Sequence, residues 1–118
     1  MSYDISLVDP VTKEDLVLDS PHQMKGGTYP LGGSRTASLN ITYNYREHFE
    51  KVLGKDDIRT IYGMTGAASI PILREAAKKL ADDVHPNYWE ATEGNAKRAL
   101  LQLIALAELR PDGIWDGD

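Results

Sequence analysis

Residues 3–8 alternate, with Tyr3, Ile5 and Leu7 set against Asp4, Ser6 and Val8. A period of two sends successive side chains to opposite faces of an extended chain, so this segment predicts a β-strand. Leu16-Val17-Leu18 predicts a second strand over 15–19. Between them, Asp9-Pro10-Val11-Thr12-Lys13-Glu14 is turn chemistry, and the two strands are expected to pair as a β-hairpin. Residues 20–34 read as a loop rich in Gly and Pro, a length that is uncommon in compact domains and often functional. A third strand is predicted over 36–43. It puts Leu39, Ile41 and Tyr43 on one face, and Asn40, Thr42 and then Asn44 on the other.

The period then changes to that of helices. The first is predicted over 45–53, with Asn44 as its cap, Glu47 placed as in a capping box and Gly54 as its stop. A turn around 57–62 carries Ile58, Ile61 and Tyr62. A second helix is predicted to begin after Ser69 with Pro71 in its first turn, burying Ile70, Leu73, Ala77, Leu80 and Val84. A third spans 92–109, and its apolar positions cover most of its circumference. A helix so apolar is packed on several sides. The expected fold is a single α+β domain: a three-stranded antiparallel sheet covered by three helices, the C-terminal one central.

Composition narrows the function classes. The 118 residues are 42% hydrophobic and 26% charged, an ordinary balance for a globular protein. The 18 acids outweigh the 13 Lys and Arg for a net charge of −5, which disfavours direct nucleic-acid binding. The acids are dispersed apart from the 112–118 tail, too thinly for a mimic of nucleic acid. There is no cysteine, hence no disulfide, thiolate metal site or cysteine nucleophile. Without an apolar run of membrane-spanning length or a signal-peptide start, a cytoplasmic location is expected and no membrane partner.

Few residues carry recognisable chemistry. Gly26-Gly27 and Gly32-Gly33 bracket Tyr29, but no Lys-Ser or Lys-Thr opens a helix after them, so they are not a phosphate loop. They read either as turn glycines or as a ligand-covering flap with Tyr29 and Arg35 as contacts. Asn40, Thr42 and Asn44 read either as a solvated strand face or as hydrogen-bonding groups for a ligand, since Asn is depleted in strands. Trp89, with Tyr88 and Tyr62, reads either as a core aromatic or as a stacking wall. It leads into Thr92, Glu93, Asn95 and Lys97 at a helix start, where free amides attract anions. His22, His48 and His85 share no metal-site spacing, and no metal or cofactor is expected. His22 is the one candidate acid or base, with His48 placed on a wet helix face.

Three segments together, the start Met-Ser-Tyr-Asp-Ile-Ser, Leu39-Asn40-Ile41-Thr42-Tyr43-Asn44, and Trp89 followed by Thr92-Glu93-Gly94-Asn95-Ala96-Lys97-Arg98, resemble a family of small uncharacterised proteins of tailed phages and prophages. The resemblance implies no activity and no catalytic residues. It implies a context, the host cytoplasm, in which small accessory proteins act by binding a host protein or a host signalling molecule. The leading expectation is a non-enzymatic protein holding a small polar or anionic ligand, nucleotide-derived for instance, to counter host defence. Its pocket would lie between 22–35, 40–44 and 92–98. Arg35 and Lys97 would meet negative charge, Asn40, Asn44 and Thr92 would hydrogen-bond, and Tyr29 or Trp89 would stack; His22, Thr42, Glu93 and Asn95 complete the candidate set. The alternative is an inhibitor that covers a host protein. A small hydrolase or transferase using His22 ranks last. Homo-oligomerisation stays open.

Overall fold

The first strand, β1 (Ser2–Val8), forms the middle of a three-stranded antiparallel sheet in a computed structural model that describes residues 2–22, 34–87 and 89–118. Its neighbours are β4 (Ser38–Thr42) and β5 (Ile114–Gly117). Three helices complete the α+β fold: α1 (Arg46–Leu53), α2 (Gly66–Lys78) and α3 (Glu93–Leu109). The alternation of β1 sets the register. Tyr3 faces Ile41 and Ile5 faces Leu39 on the buried face, while Asp4 faces Asn40 and Ser2 faces Thr42 on the other. The buried face joins Phe49, Leu73, Leu100, Leu103 and Leu106 in one hydrophobic core.

The hairpin expected between 3–8 and 15–19 does not form a ladder. The two segments share one bridge, Val8 with Asp15, and the Leu16 N–H donates to the Leu7 carbonyl at 2.9 Å. The Leu7 N–H donates to the Ala37 carbonyl at 2.8 Å, and the Ala37 N–H to the Leu16 carbonyl at 2.8 Å. At this three-way junction β4 takes over the edge of β1. The second strand, β2 (Val17–His22), leaves to pair with β3 (Ser34–Thr36) as a separate two-stranded ribbon. Leu39 and Ile41 give β4 a close apolar match to Ile5 and Tyr3, which decides the competition for that edge. The 36–43 strand is therefore broken at Ala37, with its two halves in different sheets.

The acidic tail is also structured. Trp115 of β5 is 1% exposed, and its indole Nε1 donates to the Ser69 hydroxyl of α2 at 2.8 Å. Gly117 lies so close to Tyr62 and the Asp4 carbonyl that a Cβ there would stand 2.5 Å from the Tyr62 oxygen. Only glycine lets this edge strand close on β1.

Capping separates what the helices share with the expectation from what they do not. Thr92 caps α3, its hydroxyl accepting the Asn95 N–H. Gly54 ends α1 at φ 95°, a conformation costly for other residues. Asn44, however, lies in a 3-10 turn (Tyr43–Tyr45) that Thr42 caps, and α1 has no side-chain cap. Helix α2 starts earlier than expected because Thr65 caps it, so Pro71 falls inside the helix. Packing of Leu73, Ala76 and Ala77 against α3 carries the helix through the lost backbone bond. It ends at Lys78, which leaves Val84 in the connector and 48% exposed rather than buried. Among the described residues no helix is long and apolar enough to cross a membrane.

One polar cluster sits inside the core. Asp57 opens a 3-10 turn (Asp57–Ile61) at φ 50° and is fully buried. It accepts the Tyr3 hydroxyl at 3.0 Å and the Arg59 guanidinium at 3.0 and 3.3 Å, with Arg46 at 3.8 Å. Burial, then the neighbouring carboxylate, pushes the Tyr3 phenol well above its ordinary value. The cluster joins β1 to the turn after α1.

Candidate functional site

The sequence-predicted residues fall into three sets of contacts. The first set surrounds the connector of residues 81–92 between α2 and α3. Asn95, 2% exposed, is its hub. Its Oδ1 accepts the His85 N–H at 3.0 Å, and its Nδ2 donates to the carbonyls of Asn87 at 3.2 Å and Glu90 at 3.0 Å. Asn44 donates to the Trp89 carbonyl at 2.8 Å, and His48 Nε2 to the Ala91 carbonyl at 2.7 Å. Glu93 accepts the Ala81 N–H at 3.0 Å and the Lys51 ammonium at 3.2 Å. These two contacts, the backbone one foremost, hold its carboxyl below the ordinary value. Lys97 pairs with Asp82 at 2.7 Å.

Asn44, Trp89, Thr92, Glu93, Asn95 and Lys97 thus do converge, but mostly on their own backbone. The helix start at α3 does not present its amides freely to an anion. Instead the Gly94 N–H donates to Asp83 at 3.0 Å and the Asn95 N–H to Thr92 at 3.1 Å. The connector crosses so close that a Cβ on Gly94 would lie 2.5 Å from the Asp83 and Val84 backbone. Trp89 is 48% exposed and is not a core aromatic; Trp115 has that place. His48 is half-buried, and its bond to the Ala91 carbonyl lies at the surface.

The second set is on the sheet. Asn40 and Thr42 are both buried, which overturns the reading of a solvated strand face. Asn40 donates to the Ser2 hydroxyl and the Asp4 carboxylate of the facing strand. Thr42 caps the 3-10 turn. The strand ends at Thr42, so Asn44 does not continue the ladder of Asn40 and Thr42.

The third set is on the β2–β3 ribbon. His22, expected in a loop, is the last residue of β2 and 6% exposed, with Nε2 donating to the Thr36 carbonyl at 2.9 Å. Arg35 is in β3 and donates from Nε to the Leu18 carbonyl at 3.0 Å. Tyr29 and the expected flap, like Tyr88, lie outside the described residues.

Of the concavities among the described residues, one lies beside this ribbon and another, of about 430 Å³, between α1 and α2. A hollow of about 450 Å³ is lined by Val17, Leu18, Asp19, Ser20, Pro21, His22, Leu109 and Arg110. It is bounded by β2 and the C-terminal end of α3. Val17 and Leu109 are exposed apolar walls. Arg110 reaches β2 by donating from Nη1 to the Val17 carbonyl at 3.2 Å. Its Nε and Nη2 grip Asp112 at 3.1 and 2.9 Å. That hydrogen-bonded pairing raises the guanidinium pKa and lowers that of the carboxyl.

Sequence reasoning found only His22 of this lining. Arg110 had a readable signal, a cation directly before Pro111 at a helix end. Asp19 and Leu109 had none. Among the described residues no group of three His, Asp or Glu could hold a metal ion. Comparison with protein-family models, curated proteins and solved structures returns no match.

Proposed function

We propose that this chain is a non-enzymatic binding protein of phage type, working in the host cytoplasm, that takes a small polar ligand in the hollow between β2 and the end of α3. The observation that carries the reading is that hollow, about 450 Å³ in volume and within the range of small-molecule sites. Apolar walls at Val17 and Leu109 would cover a ring or an aliphatic part. Asp19, Ser20 and Arg110 supply hydrogen-bonding groups. Charge refines the ligand class. Arg110 is already paired with Asp112, and Asp19 lines the same wall. A polar ligand of low net charge fits better than a polyanion, so a nucleoside or mononucleotide is favoured over a polyphosphate.

The binding reading is preferred over catalysis because the histidines are engaged structurally. His22 and His48 each donate to a backbone carbonyl, and His85 Nδ1 accepts the Asn87 N–H at 3.0 Å. Each bond commits one ring nitrogen and fixes the tautomer, which accounts for the ring's place in the fold without a catalytic role.

The test is a thermal-denaturation screen against nucleosides and nucleotides, run beside mass spectrometry of small molecules released from the denatured purified protein. A ligand at a hundredfold its Kd stabilises by about 2.7 kcal/mol. Leu109→Arg, which fills an exposed wall of the hollow, is expected to abolish the stabilisation. An equal shift in the variant removes the hollow as the site.

A further inference from the structure

The α2–α3 connector combines two properties that seldom occur together. Its described backbone is irregular but held from outside by Asn44, His48, Glu93 and Asn95, while its own Asp83 accepts the Gly94 N–H. Yet its large apolar side chains face out: Trp89 and Val84 are each 48% exposed. Folding normally spends polar side chains on a loop to bury its aromatic residue. Here they hold the loop in place and leave Trp89 about half exposed. An aromatic residue on a backbone ordered in advance loses little further entropy on association, which is the property of an interface anchor.

The charges around it are unequal. Asp82, Asp83 and Glu90 are exposed on the connector, with Glu93 at its end. Two of these acids are ion-paired, Asp82 with Lys97 and Glu93 with Lys51. On the connector and at its end four acids stand against the two lysines paired with them, and Glu90 follows Trp89 directly in the chain.

We propose that the connector is a docking surface for a protein whose matching face is an apolar cavity rimmed by Arg or Lys. Trp89 enters the cavity, and Glu90 with the neighbouring carboxylates meets the rim. Nucleic acid and anionic lipid would be repelled by the same carboxylates. A second copy of this chain is disfavoured, because a two-fold contact would place this acidic surface against itself. The inference is independent of the hollow beside β2.

The experiment uses the full chain as bait against a yeast-displayed library of folded bacterial protein domains. The expected result is enrichment of domains with a basic surface whose binding weakens as salt is raised. Trp89→Ala is expected to weaken that binding about tenfold or more, as loss of a hot-spot residue does. Glu90→Lys is expected to weaken it and flatten its salt dependence, while Leu109→Arg leaves it unchanged. Trp89 and Glu90 are both exposed, so an unchanged melting temperature verifies that the variants fold. The proposal is overturned if no domain is enriched. It is equally overturned if the enriched domains bind Trp89→Ala and Glu90→Lys as well as the parent chain.

Discussion

Asn95 in the first turn of α3 accepts the backbone N–H of His85 at 3.0 Å, from a side chain that is itself 2% exposed. One buried amide thereby organises a stretch whose described residues lie in no helix or strand. Its Nδ2 adds the carbonyls of Asn87 and Glu90, so both ends of the amide are used. The position of Trp89 depends on this arrangement.

Asn95→Ala is expected to release the connector. Removing the amide leaves backbone groups partly buried without partners, at about 1–3 kcal/mol for the group of bonds. Hydrogen exchange at His85 and proteolysis within 81–92 should both accelerate, while the β1–β4 amides stay protected. Unchanged protection at His85 would show that the connector is held by other means.

The buried carboxylate of Asp57 should respond asymmetrically to loss of its partners. Arg59→Ala leaves the fully buried Asp57 charge with Tyr3 and a more distant Arg46, and is expected to cost about 2–3 kcal/mol. Asp57→Asn leaves Arg59, whose side chain is 38% exposed, to be solvated, and Asn tolerates the positive φ. Its expected cost is smaller, about 1–2 kcal/mol. Urea denaturation of both variants decides the order, and a reversed order refutes this account.

The bond from Trp115 to Ser69 ties the C-terminal strand to α2. Ser69 in turn donates to the Gly66 carbonyl at 2.8 Å. Ser69→Ala orphans a buried indole N–H and is expected to destabilise by about 1–3 kcal/mol. Fluorescence separates the two tryptophans. A collisional quencher should act on Trp89 and spare Trp115, so Trp89→Phe should yield a chain whose remaining emission resists quenching. Strong quenching in that variant would place Trp115 in water.

Acid stability should depend on Glu93. Its folded-state pKa is depressed, so the unfolded chain binds the proton more readily. The stability it contributes is complete above the ordinary Glu range and is lost as pH falls through its lower folded-state value. Asp9, held down by the Thr12 and Val11 N–H groups, and Asp112, held down by Arg110, act in the same sense. Glu93→Gln is expected to show a shallower acid limb in urea midpoints, with the two curves converging as pH falls. Parallel curves would refute the linkage.

Local periodicity determined much of this protein from the sequence alone. The alternation at Tyr3, Ile5 and Leu7, the extent of α3 and the stop at Gly54 depend on neighbours within a few residues, so they were legible. The class of the fold followed from them. Partner choice belonged to the tertiary structure, because one edge of β1 can accept only one strand and β4 matched it better than β2. The same competition buried Asn40 and Thr42 and split the strand at Ala37. Strand β5 was too short to show a period, and it exists because β1 has a second edge to fill. Thr65 starts α2 ahead of Pro71 because packing on α3 outweighs one lost hydrogen bond. The hollow is made by Arg110 reaching Val17 across 93 positions of chain, a distance over which no sequence pattern carries information.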